Sequence, residues 1–192
     1  VRARASRRSG RSVAFASAFA SARGARFGRG ATRTLRDVDM RADEVARCLA
    51  ETLSPDAVAR AEAQRAIERM GGEPGFAETL ASIALRGVEG AVVDISTRQL
   101  SAVLLKKHVR EHWNALDERF VAPELTEAEK QGLKTVLPKG LADESSKMRT
   151  AFAAGIAQAA ASDGAIWDEL TTTLVEGIRA KRSRSEVLGC LK

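Results

Sequence analysis

The chain has 192 residues, 44% hydrophobic but only 4% aromatic and without tyrosine, which allows one domain or a few stacked repeats and argues against a sheet core. The formal net charge of +6 is unevenly divided: residues 1–36 hold ten Arg, no Lys and no acid, so 37–192 carry 21 basic against 25 acidic side chains. The body is therefore mildly acidic, and nothing in it demands a nucleic-acid footprint.

In chain order, Val1–Asp39 is rich in Arg, Ser, Ala and Gly. Three readings fit it: an organellar transit peptide, a disordered basic tail, or translation upstream of a true start at Met40, where the composition changes. Phe15, Phe19 and Phe27 among the arginines could make a short amphipathic helix. The glycine-rich run Gly24–Gly30 has no strand before it and does not make a dinucleotide fingerprint.

From Met40 onward the pattern is helix after helix. Asp43–Thr52 places Val45, Cys48 and Leu49 on one side. Ser54-Pro55-Asp56 follows, with Ser54 expected as N-cap and Pro55 as the first helical residue of a helix to Met70, closed by Gly71-Gly72. Pro74 opens the next, with Phe76, Leu80, Ile83 and Ala84 in helical register and Gly87 at its end. A longer helix runs from near Val92 to Trp113. Its apolar set of Leu100, Val103, Leu104, Leu105 and Val109 is wide enough for neighbours on two sides. Thr126 with Glu129 is a capping box, before Leu133, Val136 and Leu137. Asp143–Ala161 has the cleanest 3.6-residue period and stops at Asp163-Gly164. Trp167, Leu170, Leu174 and Ile178 mark another helix, and Ser183–Lys192 begins a last one.

Grouped as 54–70 with 76–86, 92–113 with 126–139, and 144–161 with 165–180, the helices recur at the period of HEAT-type repeats. The expected fold is all-α: a right-handed, ARM-like solenoid of antiparallel pairs over 40–192. It would hold about three pairs plus an unfinished helix without a partner, as an N-terminal fragment. The longest apolar run, Ala151–Ala161, is about half of a bilayer crossing, so no membrane insertion is expected.

Catalytic signals are few. Cys48 and Cys190 are too far apart and too few for a metal knuckle, and read as buried or partly buried thiols. His108-Val-Arg-Glu111-His112 matches the inverted zinc-protease signature, with both His on one helix face and Glu111 as candidate base. A third ligand, Glu169 or Glu176, is marked by no motif, and Lys106, Lys107 and Arg110 repel a cation. The favoured reading is a basic helix end complementing its dipole. No metal, cofactor or catalytic residue is assigned, and the expected class is a binding protein.

The stretch Thr97–Trp113 resembles the importin-β (karyopherin-β) N-terminal domain, whose R-Q-x-A-x-x-x-L-K helix ending near a Trp is matched by Arg98, Gln99, Leu105, Lys106 and Trp113. Leu53-Ser-Pro-Asp56 with Ala61-Glu62 is similar to that family's upstream motif. Leu137-Pro-Lys-Gly-Leu141 and Ser146-Lys-Met-Arg149 look like the importin nine branch. Asp163-Gly-Ala-Ile-Trp167-Asp168 departs from the related D-x-P-x-x-W-P stretch. The resemblance implies a monomeric nuclear transport receptor that shuttles between cytoplasm and nucleus. Its partners would be Ran-GTP, nucleoporins and basic cargo such as histones. A HEAT scaffold or chaperone for basic proteins, without Ran function, is the alternative. Ran contacts in the family come mainly from the second helix of each pair. On the pairing above, the exposed polar candidates are Glu78, Ser82, Lys130, Lys134, Asp168 and Glu169, while Arg98, Gln99, Lys106 and Trp113 read as structural.

Overall fold

Why each helix starts and stops is mostly local. In the computed structural model, which describes residues 35–86, 93–164, 167–180 and 184–191, the elements are α1 (Leu35–Glu51), α2 (Ala57–Gly71), α3 (Phe76–Arg86), α4 (Ile95–His112), α5 (Glu127–Val136), a 3-10 segment (Leu137–Ala142), α6 (Ser146–Asp163), α7 (Asp168–Ala180) and α8 (Arg184–Cys190). All regular structure among the described residues is helical. The readings placed on residues 1–34 and on Gly87, Val92, Ser183 and Lys192 lie outside them.

Three boundaries differ from the sequence expectation. α1 begins at Leu35, inside the stretch assigned by composition to the tail, because no Gly or Pro after Gly30 interrupts it. The N-cap of α2 is Asp56 rather than Ser54: its carboxylate accepts from Val58 N at 2.9 Å. Ser54 Oγ instead accepts from Asp56 N, and Arg60 Nη1 donates to the carbonyls of Ser54 and Pro55, which holds the Ser-Pro-Asp turn outside the helix. The helix expected to reach residue 139 changes at Leu137 to a 3-10 segment, with Pro138 early in it. The Thr126–Glu129 capping box is present with both halves made, and Gly164 ends α6 at φ 66°.

Side-chain ties establish how the helices run. Arg41, early in α1, donates to the carbonyl of Pro74 beyond the end of α2. Arg98, at the start of α4, donates to Ala84 and Leu85 O at the end of α3, and Ser101 Oγ donates to Leu80 O at 2.8 Å. A Cβ at Gly140 would run into the ring of Phe152, so the end of the 3-10 segment crosses the first half of α6. These are antiparallel pairs: α1/α2, α3/α4, and α5 plus the 3-10 segment with α6. α7 packs mainly on α8, making a fourth.

Between pairs the ties join like ends. Arg98 is ion-paired with Asp143 near the starts of α4 and α6, and Trp113 Nε1 donates to Asp163 Oδ1 at 3.1 Å at their ends. Gly75 N, before α3, donates to Glu129 in the first turn of α5 at 2.7 Å. Thus α4 lies parallel to α6, and α3 to α5. That is the layering of stacked helix pairs, consistent with a HEAT-like fragment.

The pairing expected from the sequence is therefore shifted by one helix. α2, α4, α6 and α8 are the second members of their pairs, and the last helix has its partner in α7. The linkers on either side of α2 are both short, so spacing alone does not say which neighbour is its partner; only the long connection over residues 113–126 argued against joining α4 to α5. The expectation that α4 is flanked on two sides holds: it packs most extensively on α3 and α6. One continuous core runs through the stack, with Leu49, Leu80, Ile83, Leu105, Val109, Leu133, Leu137, Met148 and Phe152 fully buried. Each such side chain contributes about 1.5–3 kcal/mol by burial.

Candidate functional site

Two of the family-like motif residues, Arg98 and Trp113, sit at the two ends of the α4/α6 seam. At one end Arg98 reaches three acceptors, closing the orphan carbonyls of α3 and neutralising Asp143. The buried Arg149 donates through Nη1 to Asp143 O and Glu144 O, fixing the same loop. At the other end Asp163 accepts from Trp113 Nε1 and, at 2.6 Å, from Lys134. Trp113 is 1% exposed between the second and third pairs. The Leu137-Pro-Lys-Gly-Leu141 motif also has a packing reason: Leu137 and Leu141 are buried and Gly140 faces Phe152.

The histidine motif lies on the inner side of α4. His108 and His112 are 9% and 8% exposed, their rings stack at 4.1 Å between centroids, and Phe76 meets His108 edge-on at 5.5 Å. His112 Nδ1 is 2.9 Å from Pro123 O, in the loop that returns along the end of α4. Burial, and then the His112 ring, hold His108 down at about 4. Burial raises the Glu129 carboxyl, but hydrogen bonds from Thr126 and Gly75 outweigh it and leave the group below its usual range. Glu111 turns to Lys107 and Arg110 rather than to the imidazoles. No group of three metal-ligating side chains gathers there or elsewhere among the described residues.

The six polar candidates all fall on first helices. Glu78 is half-buried against α5, where a Cβ at Gly132 would meet its carboxylate at 2.9 Å, and Ser82 is exposed on α3. Asp168 and Glu169 are exposed in the first turn of α7. Lys130 and Lys134, expected to be exposed, are not. Lys130 is 8% exposed and bound to Glu124 and Glu127, which hold its ammonium above the usual range against the opposing effect of burial. Lys134 is tied to Asp163, with its ammonium 6.0 Å from the Trp167 ring centroid. Sequence reasoning lost the lysine burial because, Glu127 of α5 apart, the acids that neutralise them come from a loop and from α6.

The second helices present other residues. On α4, Val103, Lys106 and Lys107 are exposed and Gln99 and Arg110 half-exposed. Lys106 was expected to be structural and Val103 was counted with the apolar stripe. Both face outward because α3 and α6 occupy one broad side of α4.

Residues 63–143 match the family model of the importin-beta N-terminal domain. Over these residues the chain is similar to that domain of the importin-β family. It runs from within α2 to the end of the 3-10 segment, and so contains the whole α3/α4 pair, the Arg98–Asp143 tie and Trp113. Within this importin-β-like region the motif residues Arg98 and Trp113 hold repeats together, and the exposed faces of α2 and α4 are left for contacts.

Proposed function

We propose that the chain is a segment of a nuclear transport receptor that binds Ran in its GTP form and contributes to the import of basic cargo, histones included, while shuttling between cytoplasm and nucleus. The family match over stacked helix pairs carries this reading. It acts by binding rather than catalysis. Ran-GTP and cargo would compete on one scaffold, and by linkage each weakens the other equally. The Leu137–Leu141 and Ser146–Arg149 motifs favour the importin nine branch, and nucleoporins are the partners that transit requires.

With the pairing corrected, the Ran-facing second helices are α2, α4 and α6. The test is binding of the 192-residue chain to Ran loaded with a non-hydrolysable GTP analogue or with GDP. Preference for the GTP form is expected. Equal or absent binding by a helical, folded chain would leave the scaffold or chaperone for basic proteins as the better reading.

A further inference from the structure

The chain has two histidines, and α4 sets them one turn apart on a single face. Their rings stack at 4.1 Å between centroids, with Phe76 edge-on to His108. A carbonyl oxygen only accepts, so His112 Nδ1 donates in its 2.9 Å contact with Pro123 O, and Nε2 keeps its lone pair. Burial keeps His108 neutral near pH 7, with a lone pair of its own. Neither His108 nitrogen nor His112 Nε2 has a hydrogen-bond partner among the described residues. None of the three belongs to the fully buried, unpaired polar atoms either, so solvent reaches them. Two largely buried imidazoles thus stand side by side with unused lone pairs. The charges around them are balanced. Lys106 and Lys107 are exposed while the imidazoles are buried, and Glu111 is paired with Lys107 and Arg110. The Glu129 carboxylate, held by Thr126 and Gly75, places a negative charge near His108.

We propose that His108 and His112 together bind one borderline divalent cation, zinc above all, through one ring nitrogen each, with water in the remaining positions. Imidazole suits zinc, nickel and copper, and a ligand histidine commonly donates its other ring N–H to a carbonyl, as His112 does to Pro123. Two protein ligands are fewer than the three or four of a catalytic or structural zinc centre, so the pair is a clamp rather than a reaction site. Half the ligands of a structural site give about half its free energy, and hence a Kd on the order of 10 µM. A cation held by both rings fixes the last turn of α4, whose Glu111 and His112 carbonyls accept from Val121 N at 2.7 Å and Leu125 N at 2.8 Å. The returning loop is stiffened with it. Cation binding at this pair does not depend on the transport function.

The experiment uses the 192-residue chain without an affinity tag. Zinc chloride is titrated in, followed by calorimetry and by the proton resonances of the imidazoles. One zinc per chain is expected, with both imidazoles shifting in step; the chain has only these two, so that assignment needs no variant. His108→Gln and His112→Gln, verified as helical by circular dichroism, should each weaken binding about tenfold or more. Copper(II) should bind more tightly than zinc and manganese(II) more weakly. The Val121 and Leu125 amides should exchange more slowly when zinc is present. Absence of binding at about 1 mM zinc overturns the site. So does binding that moves only one imidazole, that survives either substitution unchanged, or that magnesium matches.

Discussion

A buried imidazole is a liability in acid, and His108 shows how large. Its folded-state value is about 4, against about 6.5 in an unfolded chain. Between those values the unfolded state binds the extra proton, so folding weakens as pH falls through that window and recovers above it. The expected loss is about 3 kcal/mol from pH 7 to pH 4. Urea titrations across this range should show it, and His108→Gln should flatten the slope. An unchanged slope would mean that the imidazole is not the group being titrated. Glycine supplies a second residue-scale case. Gly140→Ala would drive a methyl into the Phe152 ring, where the 3-10 segment crosses α6. A destabilisation of about 1–3 kcal/mol is expected, read as a lower urea midpoint at constant slope.

At the scale of elements, most caps and stops were legible because the atoms that make them lie within a few residues; the exceptions were the cap of α2, which moved from Ser54 to Asp56, and the end of α5, which came at Val136. Thr126 and Glu129 form their reciprocal bonds as spaced, and α6 stops where Asp163-Gly164 was read as a break, with Gly164 in the left-handed conformation. Thr126→Ala removes the hydroxyl that Glu129 N uses and also one partner of the Glu129 carboxylate. The cost is expected to be about 1 kcal/mol by thermal or urea unfolding. Because Glu129 also holds Gly75 N, Glu129→Ala should cost more than Thr126→Ala; an equal loss would mean that the link to α3 contributes nothing. What the sequence could not show was partnership. α2 has an apolar stripe and a short linker on either side, so 57–71 could be joined to 76–86 as readily as to 35–51. The deciding bonds, from Arg41, Arg98 and Ser101, come from single polar side chains that periodicity does not count. The same blindness put Lys130 and Lys134 on the surface and Val103 in the core.

For the whole molecule, stacked pairs touch only their neighbours, so stability should vary along the stack rather than being shared evenly. α4 has the deepest position: it packs on α3 and α6, and polar ties fasten both its ends. α7 packs mainly on α8, and a cleft of about 490 Å³ lined by Trp167, Leu170, Lys134 and Leu141 separates it from α5 and the 3-10 segment. The fourth pair is instead attached through α8, where a Cβ on Gly189 would meet the carbonyl of Leu141. Native-state hydrogen exchange should therefore resolve two levels. Amides from Ala102 to Val109 should exchange only through global unfolding. Those in the middle of α7 should exchange through a local opening at least about 100-fold more often, a difference of about 2.7 kcal/mol. Gly189→Val, which forces α8 off Leu141, should raise exchange in α7 and α8 while leaving α4 unchanged. Equal protection of α4 and α7 would mean that the stack opens as one cooperative unit. A binding partner seated on α4 would then stabilise every helix alike, whereas in a graded stack its effect fades toward α7.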